Sequence, residues 1–406
     1  MNNWKKSFYT IWAGQAFSQL SSSILQFAIV WYLTDTTKSG IVLSMAMLMG
    51  FLPQGILGPF IGVYIDRFSR KKIMVLADLA IAGVSLVLVF ATVDGKVATW
   101  VVLGVLFFRA IGTAFHAPTL QAVTPQLVPQ EELTKCAGYT QSLQSISMIL
   151  SPAIAAVLYS AWNLSAIVLL DVLGALIAVV LVAVCKIPKY ESAHKDTRVH
   201  MMKEAIDGFK ILCQNKGMLG LVLVSSLYTM ALMPVSALFP LMSMDHFGGT
   251  STHASIVEIV FAIGFLVGSV VLGKWGGTKN KIYTIVGSYI LMAVCLLGSG
   301  LLPSNGYVFF VVSAGFMGVS GPFYWGMFTP LLQQNFTEQY MGRVLSITGS
   351  MRLISGPLAL LVSGAIADQW GEEKWFLIAG VLVLIATTII LAVPQIRRCD
   401  ESGNNP

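Results

Sequence analysis

The chain has 406 residues, of which 56% are hydrophobic and only 11% charged, against about a quarter charged in an ordinary soluble protein. Its mean hydropathy is +0.76 and its formal charge +6. This composition excludes a water-soluble globular domain and predicts an all-α protein buried in lipid along most of its length. The basic residues sit in short loops between apolar segments, where they serve membrane topology and anionic headgroups; no nucleic-acid partner is expected.

The apolar segments are about twenty residues long, enough for a helix rising about 1.5 Å per residue to cross about 30 Å of hydrocarbon. Twelve are predicted, at 9–33, 41–63, 73–92, 98–121, 138–160, 164–185, 218–242, 254–273, 282–302, 307–330, 343–367 and 375–394. The first is too long for a cleavable signal and runs into a hairpin with the second. Pro53, Pro59, Pro118, Pro152, Pro234, Pro322 and Pro357 fall inside spans, where membrane helices use proline at kinks.

Lys and Arg orient the chain. With the N-terminus inside, twenty of the 25 basic residues lie in cytoplasmic segments, among them Lys5, Lys6, Arg67, Arg70, Lys71, Lys72, Lys274, Arg343, Arg397 and Arg398. Lys38, Lys96 and Lys374 lie in outer loops, and Arg109 and Arg352 inside spans. This bias predicts both termini in the cytoplasm and a multi-pass protein of a bacterial cytoplasmic (inner) membrane. Cys136, Cys185, Cys213, Cys295 and Cys399 show neither pairing nor metal-ligand spacing.

The longest charged stretch, Lys186 to Lys216, divides the spans six and six. It predicts an N-terminal six-helix bundle at 1–185, a cytoplasmic linker at 186–217, and a C-terminal bundle with a short tail at 218–406. Within the linker, Met201, Ala205, Ile206, Phe209 and Leu212 recur at helical spacing across His200 to Gln214, which reads as an amphipathic surface helix. A weak repeat supports two related halves. Thr124-Pro125, Gly138 and Ser151-Pro152 are matched by Thr329-Pro330, Gly342 and Gly356-Pro357, with the same interval from threonine to Pro-preceding residue. Related halves around a central loop predict an alternating-access carrier whose substrate site lies near the midplane. No pore motif and no Walker phosphate loop accompany them, so neither a channel nor direct ATP use is expected.

The loop after the second span is specific. Gly62-Val63-Tyr64-Ile65-Asp66-Arg67-Phe68-Ser69-Arg70-Lys71-Lys72 resembles the G-x-x-x-D-R-x-x-R-K-K signature of the major facilitator superfamily. The resemblance implies that fold, with twelve helices in two halves, and a latch in which Gly62 permits close approach while Asp66, Arg67, Arg70 and Lys71 engage free backbone groups at helix ends. The matching segment Gly273 to Lys281 keeps glycines and lysines but lacks the aspartate, which implies a weaker latch. Arg109 to Gly112 is similar to a shortened R-x-x-x-G signature. Ser147 to Pro152 stands where antiporters carry G-x-x-x-G-P, with serines for both glycines. Along nearly the whole chain the sequence resembles the bacterial macrolide efflux proteins of this superfamily. Ile11-Trp12-Ala13-Gly14-Gln15-Ala16, Gly50-Phe51-Leu52-Pro53, Ile111-Gly112-Thr113-Ala114-Phe115-His116 and Leu133 to Ser147 carry that resemblance. It implies proton-driven export of 14- and 15-membered macrolides by a monomer with no cofactor, beside an ATP-binding-cassette resistance protein.

An ionised side chain near the bilayer centre costs at least about 2.5–3.5 kcal/mol on insertion scales, so each one needs a reason. Arg109 and Arg352 lie deep in their spans, Asp78 and Asp171 within theirs, Glu258 near the start of the eighth, and Asp35 at the outer mouth. Arg109 is the leading functional candidate, with a structural ion pair as the alternative. A coupling carboxylate must be ionised in one state and neutral in another, and Asp78, Asp171 and Glu258 are the candidates, with Arg109 modulating. For Asp78 and Asp171 structural pairing competes equally; for Glu258, capping of the first turn competes. Gln15, Gln19, Gln26, Trp31, Tyr139, Gln141, Gln144, Tyr228, Phe239, Tyr324, Trp325 and Arg352 are candidate cavity residues for a bulky amphiphile. Trp4, Trp100 and Trp375 read as interfacial anchors.

Two alternatives stay open: the same carrier moving an endogenous lipophile such as a siderophore or lysolipid, and a non-transporting sensor or docking subunit. An enzyme is not expected, since His116, His246 and His253 have no nucleophile or metal-ligand pattern around them.

Overall fold

The computed structural model describes residues 3–92, 96–129, 132–185, 209–336 and 338–402. Twelve long helices run through these residues: α1 Asn3–Thr37, α2 Gly40–Arg67, α3 Arg70–Phe90, α4 Thr99–Leu127, α5 Leu133–Ala161, α6 Leu164–Val184, α7 Lys216–Leu241, α8 Ser251–Trp275, α9 Lys281–Gly300, α10 Tyr307–Asn335, α11 Glu338–Trp370 and α12 Glu373–Ala392. Among the described residues there is no β-strand. Each predicted span falls on one of these helices, and half of them, α1, α2, α4, α5, α10 and α11, extend beyond the apolar stretch by about a turn or more. The amphipathic helix expected at His200 to Gln214 lies mostly outside the described residues; 209–214 is helical.

Nine of the helices are long and apolar enough to cross a membrane by length and composition, among the described residues. The other three, α1, α5 and α11, carry Gln, Ser and Thr along their length. All twelve satisfy their own backbone, the condition for lying in lipid. Side chains add to this: Ser85 donates to Ile81 O and Thr119 to Phe115 O, each four residues back. Helix starts are fixed locally. Asn163 Oδ1 accepts from Ala166 N at 2.9 Å and Asn215 Oδ1 from Met218 N at 3.0 Å, satisfying amides that have no partner within the helix. Gly276, at φ +76°, ends α8 in a left-handed conformation that a Cβ would disfavour.

The helices group into two compact units. The first comprises Met1–Thr37 and Met45–Arg198; the second comprises Lys38–Ser44 and Val199–Pro406. In the first, α1 packs on α5 and α6, and α3 packs on α4 and α6. In the second, α7 packs on α11 and α12, and α9 packs on α10 and α12. These four pairings correspond when α7 to α12 are laid against α1 to α6. The second unit also brings α8 and α10 unusually close. A Cβ on Gly264, Gly268 or Gly318 would collide with the carbonyl oxygen of Gly315, Val319 or Phe261, the small-residue packing that lets membrane helices associate without a hydrophobic driving force. Within the same unit, Asp368 accepts hydrogen bonds from Ser39 Oγ at 2.7 Å and from the Gly40 amide.

Two sequence expectations change here. Trp375 is no interfacial anchor: it is 2% exposed and its indole N–H donates to Ala231 O at 3.2 Å. Glu258 does not cap its helix, because α8 begins earlier than its apolar stretch and is closed by a box between Thr250 and His253. Trp100 is 77% exposed, as an interfacial residue should be.

Candidate functional site

The first unit encloses two levels at which buried charged side chains find polar partners. At the upper one, Arg109 on α4 donates from Nη1 to Asp171 Oδ2 on α6 at 2.5 Å and also to Ser85 Oγ on α3. Ser22 and Ser21 on α1 donate to Asp171 Oδ1 at 2.6 and 3.5 Å. Asp171 is fully buried, so this is a charge pair with its remaining lone pairs satisfied by hydroxyls, the arrangement that makes burial tolerable. Close helix packing sets it up: a Cβ on Gly174 would strike Ser21 Oγ, so α6 meets α1 at bare backbone.

At the second level Asp78 on α3 is 4% exposed. Gln15 Nε2 on α1 donates to its Oδ2 at 3.4 Å, and His116 Nε2 on α4 lies 3.4 Å from its Oδ1. That imidazole nitrogen is shielded from solvent and makes no hydrogen bond among the described residues. The sequence reading passed over His116 as a scattered histidine. The signal that finds it is periodic: Gln15 and Ser22, Asp78 and Ser85, and His116 and Arg109 are each seven residues apart, hence on one helix face about 10 Å apart along the axis. Between them on α4, Gly112 lies against α3; a Cβ there would sit 2.5 Å from Ile81 Cγ1. The absent side chain is what lets both polar levels close.

The structure thus brings Asp78, Arg109, Asp171 and Gln15 into one unit's interior; Glu258 belongs to α8 of the second unit and makes no hydrogen bond or ion pair among the described residues. Of the signature residues, Arg70 Nη1 donates to Ala122 O at 2.8 Å. Lys71 Nζ reaches Ala183 O at 2.5 Å and Cys185 O at 2.8 Å, tying the start of α3 to the ends of α4 and α6, where a cation suits free carbonyls. Gly62, Asp66 and Arg67 lie outside the residues whose side chains are described, as do Gln141 and Arg352.

The cavity candidates divide. Trp31, Tyr228, Phe239 and Tyr324 are at most 4% exposed and serve as packing within their own units. Trp31 meets Phe27 and Tyr159. Phe239 sits among Phe261, Phe310 and Phe376. Tyr228 stacks on Tyr289 at 4.2 Å, with Tyr324 against both. Gln19 and Tyr139 are half-buried, the latter beside Tyr9 and Trp12, while Gln26, Gln144 and Trp325 are exposed. Among the described residues no group of His, Cys, Asp and Glu has metal-binding geometry.

Comparison with known proteins agrees with this architecture. The family model described as Major Facilitator Superfamily matches residues 11–360. Macrolide efflux protein A of Streptococcus pyogenes is 50% identical over 399 residues, covering 98% of both chains. Macrolide efflux protein A of Enterococcus faecalis is 50% identical over 322 residues, 79% of this chain and 99% of that one. A crystal structure of the nucleoside transporter NupG superposes with a TM-score of 0.74 at 15% identity, covering 96% of this chain and 99% of NupG; at that identity it speaks for the fold alone. With twelve long helices in two similarly paired units and a family match across most of its length, the chain belongs to the major facilitator superfamily of multi-pass membrane transporters.

Proposed function

We propose that this protein exports macrolide antibiotics and similar lipophilic drugs across the cytoplasmic membrane in exchange for protons. The observation that carries the reading is the 50% identity to Macrolide efflux protein A over 98% of both chains. The buried charges of the first unit support the proton half of it, since ionisable groups inside a membrane protein are expensive and mark ion pathways. The excess of Lys and Arg in alternate loops supports cytoplasmic termini. The proton gradient supplies the energy with no cofactor or catalytic chemistry. The protein works as a monomer, with an ATP-binding-cassette resistance protein as a possible companion in the cell.

Macrolides that carry an amino sugar are monocations near neutral pH. Exchange of one such cation for one proton moves no net charge and ignores the membrane voltage, which offers about 2.3 kcal/mol per charge at 100 mV; exchange for two protons draws on it. Uptake of labelled erythromycin into inverted vesicles, under a pH gradient or a voltage imposed separately, tests the function and reads the stoichiometry. Uptake abolished by a protonophore is expected. No uptake by folded protein under either gradient would sink the macrolide reading.

A further inference from the structure

A proton-coupled carrier needs a group whose charge changes during the cycle. The two buried carboxylates of the first unit are held in opposite ways. Asp171 has a permanent counter-charge, since a guanidinium does not give up its proton in a protein, and it is saturated at 2.5 and 2.6 Å by Arg109 and Ser22. Among the described residues Asp78 has no fixed counter-charge. Its polar neighbours are the Gln15 amide and the His116 imidazole, each 3.4 Å away. Imidazole is the side chain that exchanges a proton near neutral pH, and here its Nε2 faces a carboxylate oxygen to which one proton can be passed. With one shared proton the pair is neutral overall; after releasing it, the pair carries one negative charge.

The second unit supplies a control for the packing. Gln15 and Tyr228 are each the thirteenth residue of their helices, α1 and α7. Asp78 and Tyr289 are each the ninth residue of α3 and α9. His116 and Tyr324 are each the eighteenth residue of α4 and α10. The three positions converge in both units, on Asp78 in the first and on the stacked tyrosines in the second. The corresponding helices of the second unit meet around uncharged rings, so three helices paired in this way do not need a titratable pair between them.

We propose that Asp78 and His116 together carry the exchanged proton, with Gln15 positioning the carboxylate and Arg109–Asp171 acting as a fixed pair two turns away. The role rests on the exporter reading above. The other charged groups described on the surrounding helices are Arg109 and Asp171 at the upper level, and Lys5, Lys6 and Asp35 toward the ends of α1. At the start of α3 stand Arg70 and Lys71, engaged with carbonyl oxygens, and Lys72.

The test uses full-length protein in lipid vesicles. Asp78→Asn and His116→Gln are expected to lose uphill macrolide accumulation under a pH gradient and to keep downhill drug exchange. Uphill accumulation with wild-type pH dependence in either variant would overturn the proposal while leaving the exporter reading intact. Where a polar variant does not fold, His116→Tyr, which carries the side chain of Tyr324 to the matching position, takes its place. If the wild type accumulates no macrolide at all, the exporter reading fails, and the pair is judged by its own titration. Infrared difference spectra between about pH 5 and about pH 9, the range that spans histidine titration, should contain a band of the Asp78 carboxyl group, which either takes the proton itself or responds to the charge arriving on His116. Asp78→Asn should remove that band, and His116→Gln and Gln15→Leu should shift the pH at which it appears. A wild-type spectrum without an Asp78-dependent band would overturn the proposal.

Discussion

The two units use the same helix pairings and fill them with opposite chemistry. In the first, Arg109, Asp171, Ser85 and Ser22 form a charged level; in the second, the residues at the same ordinal positions of the matching helices are Met317, Gly380, Leu296 and Val235. All four are buried. Two turns away, the first unit gathers Gln15, Asp78 and His116, and the second gathers Tyr228, Tyr289 and Tyr324. A buried ion pair is weak evidence for stability, because desolvation offsets most of the Coulombic gain. The matching helices of the second unit pack with uncharged residues at these ordinal positions, so a buried charge pair is not a general requirement of these helix pairings.

The comparison breaks most severely if one charge is removed alone. Arg109→Ala leaves Asp171 buried and uncompensated, and should cost about 3–5 kcal/mol, seen as loss of the monodisperse peak after mild heating in detergent. Arg109→Met combined with Asp171→Leu replaces the pair by apolar side chains and should recover most of that loss while abolishing any role of the pair in transport. A double variant no more stable than Arg109→Ala would show that the two interiors are not interchangeable.

The converse cut falls in the aromatic unit. Tyr289 is fully buried against Tyr228, so Tyr289→Ala opens a cavity worth about 3–5 kcal/mol, readable as a lowered thermal midpoint. A smaller effect is expected at Gly112, where Val would press on Ile81 Cγ1. Overpacking of this kind costs about 1–3 kcal/mol, and Ile81→Ala in the same chain should relieve it.

Glu258→Gln sharpens the contrast from the other side. If proton exchange belongs to the first unit, this variant keeps its pH-driven drug accumulation; loss of coupling would move the proton site to the second unit. The smallest effect is expected at Glu372, in the loop before α12, whose carboxyl is pushed above its ordinary range by burial, with the nearby Asp245 adding to the shift. A carboxyl raised on folding binds its proton more readily in the folded state, so stability falls as pH rises from the unfolded to the folded value. Thermal midpoints across that window should decline in the wild type and flatten in Glu372→Gln.

Much of the fold was legible in the sequence because hydropathy is a local, additive property. A run such as Leu164 to Val184 must be a helix in lipid whatever surrounds it, since only a helix satisfies its own backbone there. The glycine-and-basic signature after α2 pointed to the family for the same reason: it is contiguous. The division of labour among buried residues was not legible, because it depends on which faces meet. Arg109 and Asp171 are far apart in sequence and close only because Gly174 lets α6 onto α1 and Gly112 lets α4 onto α3. Trp31, Tyr228, Phe239 and Tyr324 read as cavity lining by type, yet are packed within their units; an aromatic ring suits either place, and only its neighbours decide. His116 is the sharpest case. In the sequence it is one histidine among five. Seven residues along α4 from Arg109, it stands 3.4 Å from the buried Asp78 carboxylate, because helix pairing, unlike hydropathy, is settled by the whole bundle at once.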